Sequence, residues 1–172
     1  MASLMEDLID ALHQECDLYE ALMELSGKKT TVIVAGDLDE LSRITDEEQE
    51  CVSEIVAQDK RRSALMKDIA SVLNRDVESL RLIDLVDILE KRPKEQKRLA
   101  VERDRLKRIT DQVRRVNGQN QELLKSSLEM VEFELNVLQA SSRAPETANY
   151  TKAAGTSGDV IGNYRGGFDA KQ

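Results

Sequence analysis

PKEQKRLAVERDRLKRITDQVRRVNGQNQELLKSSLEMVEFELNVLQA, residues 93–140, is the stretch that decides the fold. Its apolar side chains recur with a seven-residue period and spacings of three and four, the pattern of a helix that packs along one seam. The stripe shifts after Leu124 to Leu128, Val131, Leu135 and Leu138, which is the signature of a stutter. The seam itself consists of Leu99, Leu106, Ile109, Val113, Val116, Asn120 and Leu123.

The pair Asn117-Gly118 lies inside this stretch and would signal a hairpin between two strands. The seam keeps its phase through the pair, so we predict one continuous helix. At 1.5 Å per residue its length is roughly 70 Å.

Two further long helices precede it. Apolar residues at helical spacing predict a helix from Ser3 to about Val34, and Gly36 supplies a left-handed stop. Asp37 and Glu40 form a predicted capping box that starts the second helix. After Asn74, a short helix is expected from Leu82 to Lys91, ended by Pro93. The sequence therefore predicts an all-α antiparallel helical bundle or coiled coil, with three long helices and one short helix, over residues 1–140.

Residues 141–172 have a different composition, with five of the eight glycines in the chain and few residues to bury. Such a segment cannot offset its ordering entropy, so we expect a flexible C-terminal tail. A spacer is the expected role. The alternative is that Tyr150, Tyr164 and Phe168 act as isolated anchors on a partner.

Composition excludes several classes of protein. Only five of 172 residues are aromatic, which argues against an ordinary enzyme with a substrate pocket. No glycine lies between Gly36 and Gly118, and this lack of turn residues argues against a sheet protein. The net charge of −8 argues against nucleic acid as the main partner. No apolar run is long enough to insert in a membrane, and the acidic start is unlike a signal peptide, so a cytoplasmic location is expected.

No catalytic, metal-binding or cofactor-binding site is predicted. The single histidine has no evident nucleophilic partner, and no glycine-rich phosphate loop is present. His13 and Cys16 share a helical face, but two ligands from one turn do not make a zinc site, and nothing places Cys51 beside them. Both cysteines lie in helical patterns and are expected to be reduced and packed. We therefore predict a protein that is not an enzyme and needs no cofactor.

Charge is distributed unevenly along the chain. Residues 1–59 contain sixteen acidic and three basic residues, whereas residues 94–116 contain nine basic and four acidic ones. The simpler interpretation is that the basic start of the long helix lies beside the acidic N-terminal half. The alternative is a docking patch for an acidic partner, made of Arg103, Arg105, Lys107, Arg108, Arg114 and Arg115.

The apolar side of residues 119–140 also has two possible roles. It could complete the core of the bundle, or it could be kept for a helix of another protein. Asn120 and Ser127 favour the second role because polar seam residues weaken self-packing.

The chain resembles the FlgN family of flagellar export chaperones. The resemblance lies in four segments that follow one another in the family's order. These are LIDALHQECDLYEALMELSGKK (8–29), VAGDLDELSRITDEEQECVSEI (34–55), SLRLIDLVDIL (79–89) and NGQNQELLKSSLEMVEFEL (117–135).

The resemblance implies a cytosolic chaperone that binds hook-associated flagellar proteins and keeps them from assembling before export. It implies contact with the export apparatus as a possibility, and a monomer or weak homodimer. In the family the C-terminal region binds the client, which carries over to Leu123, Leu124, Leu128, Val131, Phe133, Leu135 and Leu138. The alternatives are a self-associating coiled-coil scaffold and a regulatory adaptor that uses the basic patch.

Overall fold

A computed structural model describes residues 2–142, which are almost entirely helical and contain no strand. The helices are α1 (Ala2–Ala35), α2 (Leu38–Leu73), α3 (Leu82–Ile88) and α4 (Pro93–Ser142), with one turn of 3₁₀ helix at Leu89–Lys91. The chain divides into two compact units, Met1–Glu134 and Leu135–Gln172. Of the predicted tail, only Ser141 and Ser142 are described, as the end of α4; Tyr150, Tyr164 and Phe168 lie outside the described residues.

The turn between α1 and α2 forms at Gly36, as predicted. Gly36 has a φ of 72°, and the N–H of Asp37 donates to the carbonyl of Val32 at 3.3 Å, which satisfies an orphan carbonyl of α1. The Asp37 side chain accepts from the N–H of Glu40 at 3.1 Å, so the predicted N-cap is present. The predicted reciprocal half of the capping box is wrong. The Asp37 N–H is already used by Val32, and the Glu40 carboxylate pairs with Arg43 instead.

The connection from α2 to α4 reverses the chain. Asn74 ends α2 in the left-handed conformation, with a φ of 53°. The short helix predicted from Leu82 to Lys91 is present, but its last three residues tighten into the 3₁₀ turn. Pro93 then begins α4, where its missing N–H costs no helical hydrogen bond.

Contacts between side chains give the directions of the three long helices. Gln14 accepts from Arg61, and further along α1 Ser26 donates to Glu48, so α2 runs antiparallel to α1. Along α4 the order is the same as along α1, because Arg98 pairs with Asp10 and Asn120 contacts Thr30. The predicted all-α bundle with antiparallel sequential helices is confirmed, and α1 and α4 are parallel as the outer members of an up-down-up arrangement.

The core consists of two clusters along the bundle. The larger joins all four helices near the α3 end and includes the fully buried Leu8, Leu12, Ile69, Leu85 and Leu99. The smaller contains Leu22, Cys51, Ile55 and Val113. Burying each large aliphatic side chain contributes about 1.5–3 kcal/mol relative to leaving it in water.

Both cysteines are buried free thiols, as predicted. Cys16 Sγ donates to the carbonyl of Glu102 at 3.7 Å, and Cys51 Sγ donates to the carbonyl of Leu18 at 3.3 Å. Burial raises the pKa of the Cys16 thiol to about 12 and also raises the pKa of the Cys51 thiol. Both thiols are therefore poor nucleophiles near neutral pH.

Helix α4 continues through Asn117 and Gly118, so the prediction of one continuous helix is confirmed. A Cβ atom placed on Gly118 would meet nothing within 4 Å. The glycine therefore fills no steric need and simply lowers the helix propensity at this position.

Candidate interaction surface

A buried polar layer joins α1 to α4 at Asn120, which is only 3% exposed. The Asn120 amide nitrogen donates to the carbonyl of Ser26 at 2.9 Å, and Thr30 Oγ1 lies 2.6 Å from Asn120 Oδ1 and donates to it. The nitrogen and the oxygen of the Asn120 amide therefore both have hydrogen-bond partners in the interior of the bundle. Because only one alignment of the two helices makes these bonds, the layer fixes the register of α4 against α1.

The layer extends across the bundle to α2. The Ser26 hydroxyl lies 3.0 Å from Glu48 Oε1 and 3.1 Å from Asn117 Oδ1, and its single proton is donated to one of them at a time. Lys29 Nζ is 2.7 Å from Glu48 Oε2, so the half-buried carboxylate is neutralised by a base on α1. All three long helices are tied together at this level.

Cover of α4 by α1 ends shortly after the polar layer. Helix α1 ends at Ala35, five residues after Thr30, whereas α4 continues for fourteen residues from Asn120 to the end of the first unit at Glu134. Leu123 and Leu124 are half-buried, and every residue from 125 to 134 is exposed. The change from buried to exposed therefore occurs within one turn of Asn120.

The client-binding residues carried over from the resemblance fall on both sides of this change. Leu123 and Leu124 sit next to the polar layer. Leu128, Val131 and Phe133 are exposed by 64%, 52% and 68%, although they are large apolar side chains. Leu135 and Leu138, in the second unit, are also exposed.

Helical geometry divides these residues between two faces. At about 100° per residue, Leu124, Leu128 and Val131 lie within an arc of about 60°, which we call the Leu128 face. Phe133 lies about 180° from Leu124, on the opposite side of the helix. It shares a side with Leu123 and Met130, and these three residues form the Phe133 face.

Sequence reasoning did not recognise the Phe133 face as separate. The signal was present in the seven-residue spacing of apolar residues that continues the bundle seam past the stutter. The series is Ile109, Val116, Leu123, Met130 and Val137. Met130 and Val137 are both exposed.

A groove opens beside the polar layer on the same side as the Phe133 face. It has a volume of about 600 Å³ and is lined by Thr30 of α1 and by Gly118, Gln119, Glu122, Leu123 and Ser126 of α4. Leu123 belongs both to the groove and to the Phe133 face. The Phe133 face therefore adjoins a shallow groove between α1 and α4.

Three of the six residues of the basic patch suggested by the sequence form ion pairs among the described residues. The guanidinium of Arg105 pairs with Asp17 at 2.7 Å and with Glu20 at 2.8 Å, and these carboxylates raise its pKa. Arg103 pairs with Asp104, and Arg114 with Asp111. The pairs of Arg105 and Arg98 with acidic residues of α1 follow the simpler interpretation, in which the basic start of α4 lies beside acidic α1, whereas the pairs of Arg103 and Arg114 lie within α4.

His13 contacts α4 at the surface of the bundle, and Cys16 contacts it from the core. His13 Nδ1 lies 3.0 Å from Glu102 Oε1, in a second groove of about 610 Å³ that Lys94, Lys97 and Arg98 also line. Within residues 2–142, no group of three metal-ligating side chains is close enough to hold an ion. None of the described helices is both long and apolar enough to cross a membrane.

Comparison with known proteins identifies the family. The family model described as FlgN protein matches residues 1–158, which is most of the chain. Comparisons with curated proteins and with solved structures gave no match. The family match agrees with the resemblance carried by the four sequence segments and with the three-helix bundle. The chain thus belongs to the FlgN family, whose members are flagellar export chaperones.

Proposed function

We propose that the chain is a cytosolic export chaperone that binds hook-associated flagellar proteins through α4 beyond Asn120 and keeps them from assembling before export. The observation that supports this proposal is the exposure of Leu128, Val131 and Phe133 on a helix that α1 no longer covers. We include Leu124, Leu123, Leu135 and Leu138 in the binding surface. In this proposal residues 1–140 are the chaperone domain, and residues 141–172 act as a spacer.

The physical argument concerns apolar surface on both partners. Contiguous exposed apolar residues contribute nothing to the stability of their own chain and mark interaction sites in soluble proteins. Axial filament proteins carry terminal helices that pair only after assembly, so their apolar faces need cover beforehand. An exposed amphipathic helix provides that cover by helix-to-helix packing, and release at the export gate requires an interface of modest area.

The proposal is tested with Leu128→Asp in the full chain, using a purified hook-associated protein and isothermal titration calorimetry. A buried charge at the centre of the interface is expected to weaken binding by at least about tenfold, or about 1.4 kcal/mol. Because Leu128 is exposed in the free chain, far-UV circular dichroism and the melting temperature should stay close to wild type.

The matched control is Lys125→Gln, which changes the net charge by the same amount on the polar side of the same helix. It should bind like wild type. Equal affinity for Leu128→Asp and Lys125→Gln would contradict the binding assignment. A Leu128→Asp chain that loses its helicity would instead place Leu128 in the core.

A self-associating scaffold is the second candidate, because the same exposed residues could pair between copies. Light scattering over a range of concentrations separates the two. We propose a monomer or weak homodimer, so the average mass should fall to that of one chain on dilution. A fixed oligomer at all concentrations would favour the scaffold. Steep weakening of partner binding by salt would favour the regulatory adaptor, because an apolar interface tolerates salt.

A further inference from the structure

The Leu128 face points in the same direction as the buried side of α4. Residues eighteen apart on a helix lie at the same angle, because eighteen residues make five full turns. Leu124 is eighteen residues after Leu106, which packs against the larger core cluster. Val131 is eighteen residues after Val113, which is buried in the smaller cluster. A helix that packs on the Leu128 face therefore lies beyond the ends of α1 and α2, in line with the bundle.

The end of α1 borders this space. Val34 is eighteen residues after Cys16, whose thiol contacts the carbonyl of Glu102, so Val34 is on the side of α1 that faces α4. Val34 also lies one turn beyond Thr30, which donates to Asn120. It therefore stands at the foot of the exposed part of α4.

The turn between α1 and α2 has two exposed apolar side chains, one on each side. Val34 and Leu38 are exposed by 73% and 75%, more than Leu128 itself. Together with the Leu128 face they form an apolar step, in which α4 is the wall and the turn is the floor. The end of a helix has the shape that fits such a step, because its side contacts the wall and its last turn contacts the floor.

The charges around the apolar step are mostly negative. Residues 27–43 and 119–134, which form the step, contain seven acidic and four basic residues, a net charge of −3. The acidic residues are Asp37, Asp39, Glu40, Glu122, Glu129, Glu132 and Glu134, and the basic residues are Lys28, Lys29, Arg43 and Lys125. A partner helix with a net positive charge is therefore favoured.

A second copy of this chain is a less favourable occupant. Its exposed segment, residues 119–134, contains four acidic residues and one basic residue, so it also has a net charge of −3. Lys125 and Glu132 lie on the same edge of the Leu128 face and would pair between antiparallel copies. Such surface pairs contribute little, and the net like charge of the two segments opposes association.

We propose that the apolar step receives the end of one basic amphipathic helix of the partner. The apolar stripe of this helix packs on the Leu128 face, and its terminal turn packs on Val34 and Leu38. The inference rests on the proposed function, because the partner is the client, and it adds the α1–α2 turn to the client surface. The floor of the step sets the position of the client helix along α4.

An aspartate at Val34 tests the floor in the full chain. Val34→Asp should raise the Kd for a purified hook-associated protein by at least about tenfold in isothermal titration calorimetry, because it places a charge inside the interface. Val72→Asp is the matched control. Val72 is also an exposed valine and the last residue but one of its helix, at the opposite end of the bundle. Its Kd should change by less than about twofold, and both variants should have similar melting temperatures.

Photocrosslinking tests the position of the client helix. We replace Val34, Val131 or Val72 by p-benzoylphenylalanine, irradiate each chain with the purified hook-associated protein and locate the crosslinks by mass spectrometry. Position 34 should crosslink to the terminal turn of a client helix, and position 131 to the same helix about seven residues away, since these positions differ by about 10 Å along α4. Position 72 should give no crosslink.

Several outcomes would overturn the inference, and they are distinguishable. Equal affinities of Val34→Asp and Val72→Asp, together with weakened binding by Leu128→Asp, overturn it and leave the proposed function intact. A crosslink from position 34 to a second copy of this chain shows that copy as the occupant. A crosslink from position 34 to the middle of a client helix shows a helix that continues past the turn. Absence of binding by the wild-type chain overturns the proposed function and this inference together.

Discussion

The two halves of α4 have similar apolar patterns and opposite surroundings. Before Asn120, Leu99 and Val113 recur at seam positions and are buried. After it, Leu128 and Val131 continue at helical spacing and are exposed. The difference arises because α1 ends five residues past the polar layer and α4 continues. Helical periodicity therefore predicts which residues share a face, and the lengths of neighbouring helices decide whether that face is covered.

The largest expected effect is the difference in stability between removing a leucine side chain from the buried half of α4 and removing one from its exposed half. Leu99→Ala should lower the free energy of unfolding by about 2–5 kcal/mol, because it creates a cavity in the larger core cluster. Leu128→Ala should change it by less than about 0.5 kcal/mol. Urea denaturation of the two variants measures both values. Equal losses would mean that Leu128 is covered within the free chain.

A smaller difference in stability is expected between substitutions at Asn120 and Ser127, two polar positions of α4 that are seven residues apart. Asn120→Ala removes the two hydrogen bonds between α4 and α1, one donated to the Ser26 carbonyl and one accepted from the Thr30 hydroxyl, and leaves only the bond from Thr30 to Ser26 within α1; this should cost about 1–3 kcal/mol. Ser127→Ala removes only an exposed hydroxyl that donates to the carbonyl of Leu123 in its own helix. Its urea midpoint should match wild type. A neutral Asn120→Ala would show that the polar layer does not hold the register.

The charge on Glu132 should have a small effect on partner affinity and none on folding. Glu132 lies at the same edge of the Leu128 face as Lys125, so Glu132→Lys should change the Kd for a hook-associated protein by less than about threefold, because rim charges contribute little to binding. Glu54→Lys makes the same change of charge at an exposed position on α2 and serves as the control. A change of more than about tenfold for Glu132→Lys alone would show that Glu132 lies inside the interface.

The smallest effect is expected at the glycine between the two halves. Gly118→Ala should stabilise the chain by about 0.5–1 kcal/mol, because alanine favours a helix and no atom lies within 4 Å of the added Cβ. Gly27→Ala in α1 meets no neighbour either and should behave similarly. Destabilisation by Gly118→Ala alone would mean that α4 bends at this point, which thermal denaturation would detect.

Much of the fold could be predicted from local signals. The helix boundaries could be predicted to within a few residues from the periodic seam, from Gly36 as a left-handed stop and from Pro93 as a break between helices. These signals are local, because each depends on the conformation of the backbone at its own position. The short helix was placed correctly although its last turn is 3₁₀. The family could be identified from the order of four segments, which the match over residues 1–158 supports.

The interaction surface could be predicted only in part. The sequence indicated that residues beyond Asn120 form an amphipathic stripe, but both core completion and partner binding remained open. Choosing between them requires the register of α1 against α4, which depends on bonds between Asn120, Ser26 and Thr30 that lie ninety or more residues apart. The same limit applies to Arg105, whose partners Asp17 and Glu20 lie on another helix.

Amide hydrogen exchange along α4 tests most directly the claim that its exposed half is reserved for a partner. In the free chain, amides of residues 125–134 should exchange faster than those of residues 99–113, because no packed neighbour holds that part of the helix. Addition of a purified hook-associated protein should slow exchange in residues 125–134 and leave residues 99–113 nearly unchanged. Equal protection of both segments in the free chain, or no slowing on addition of the partner, would contradict the account.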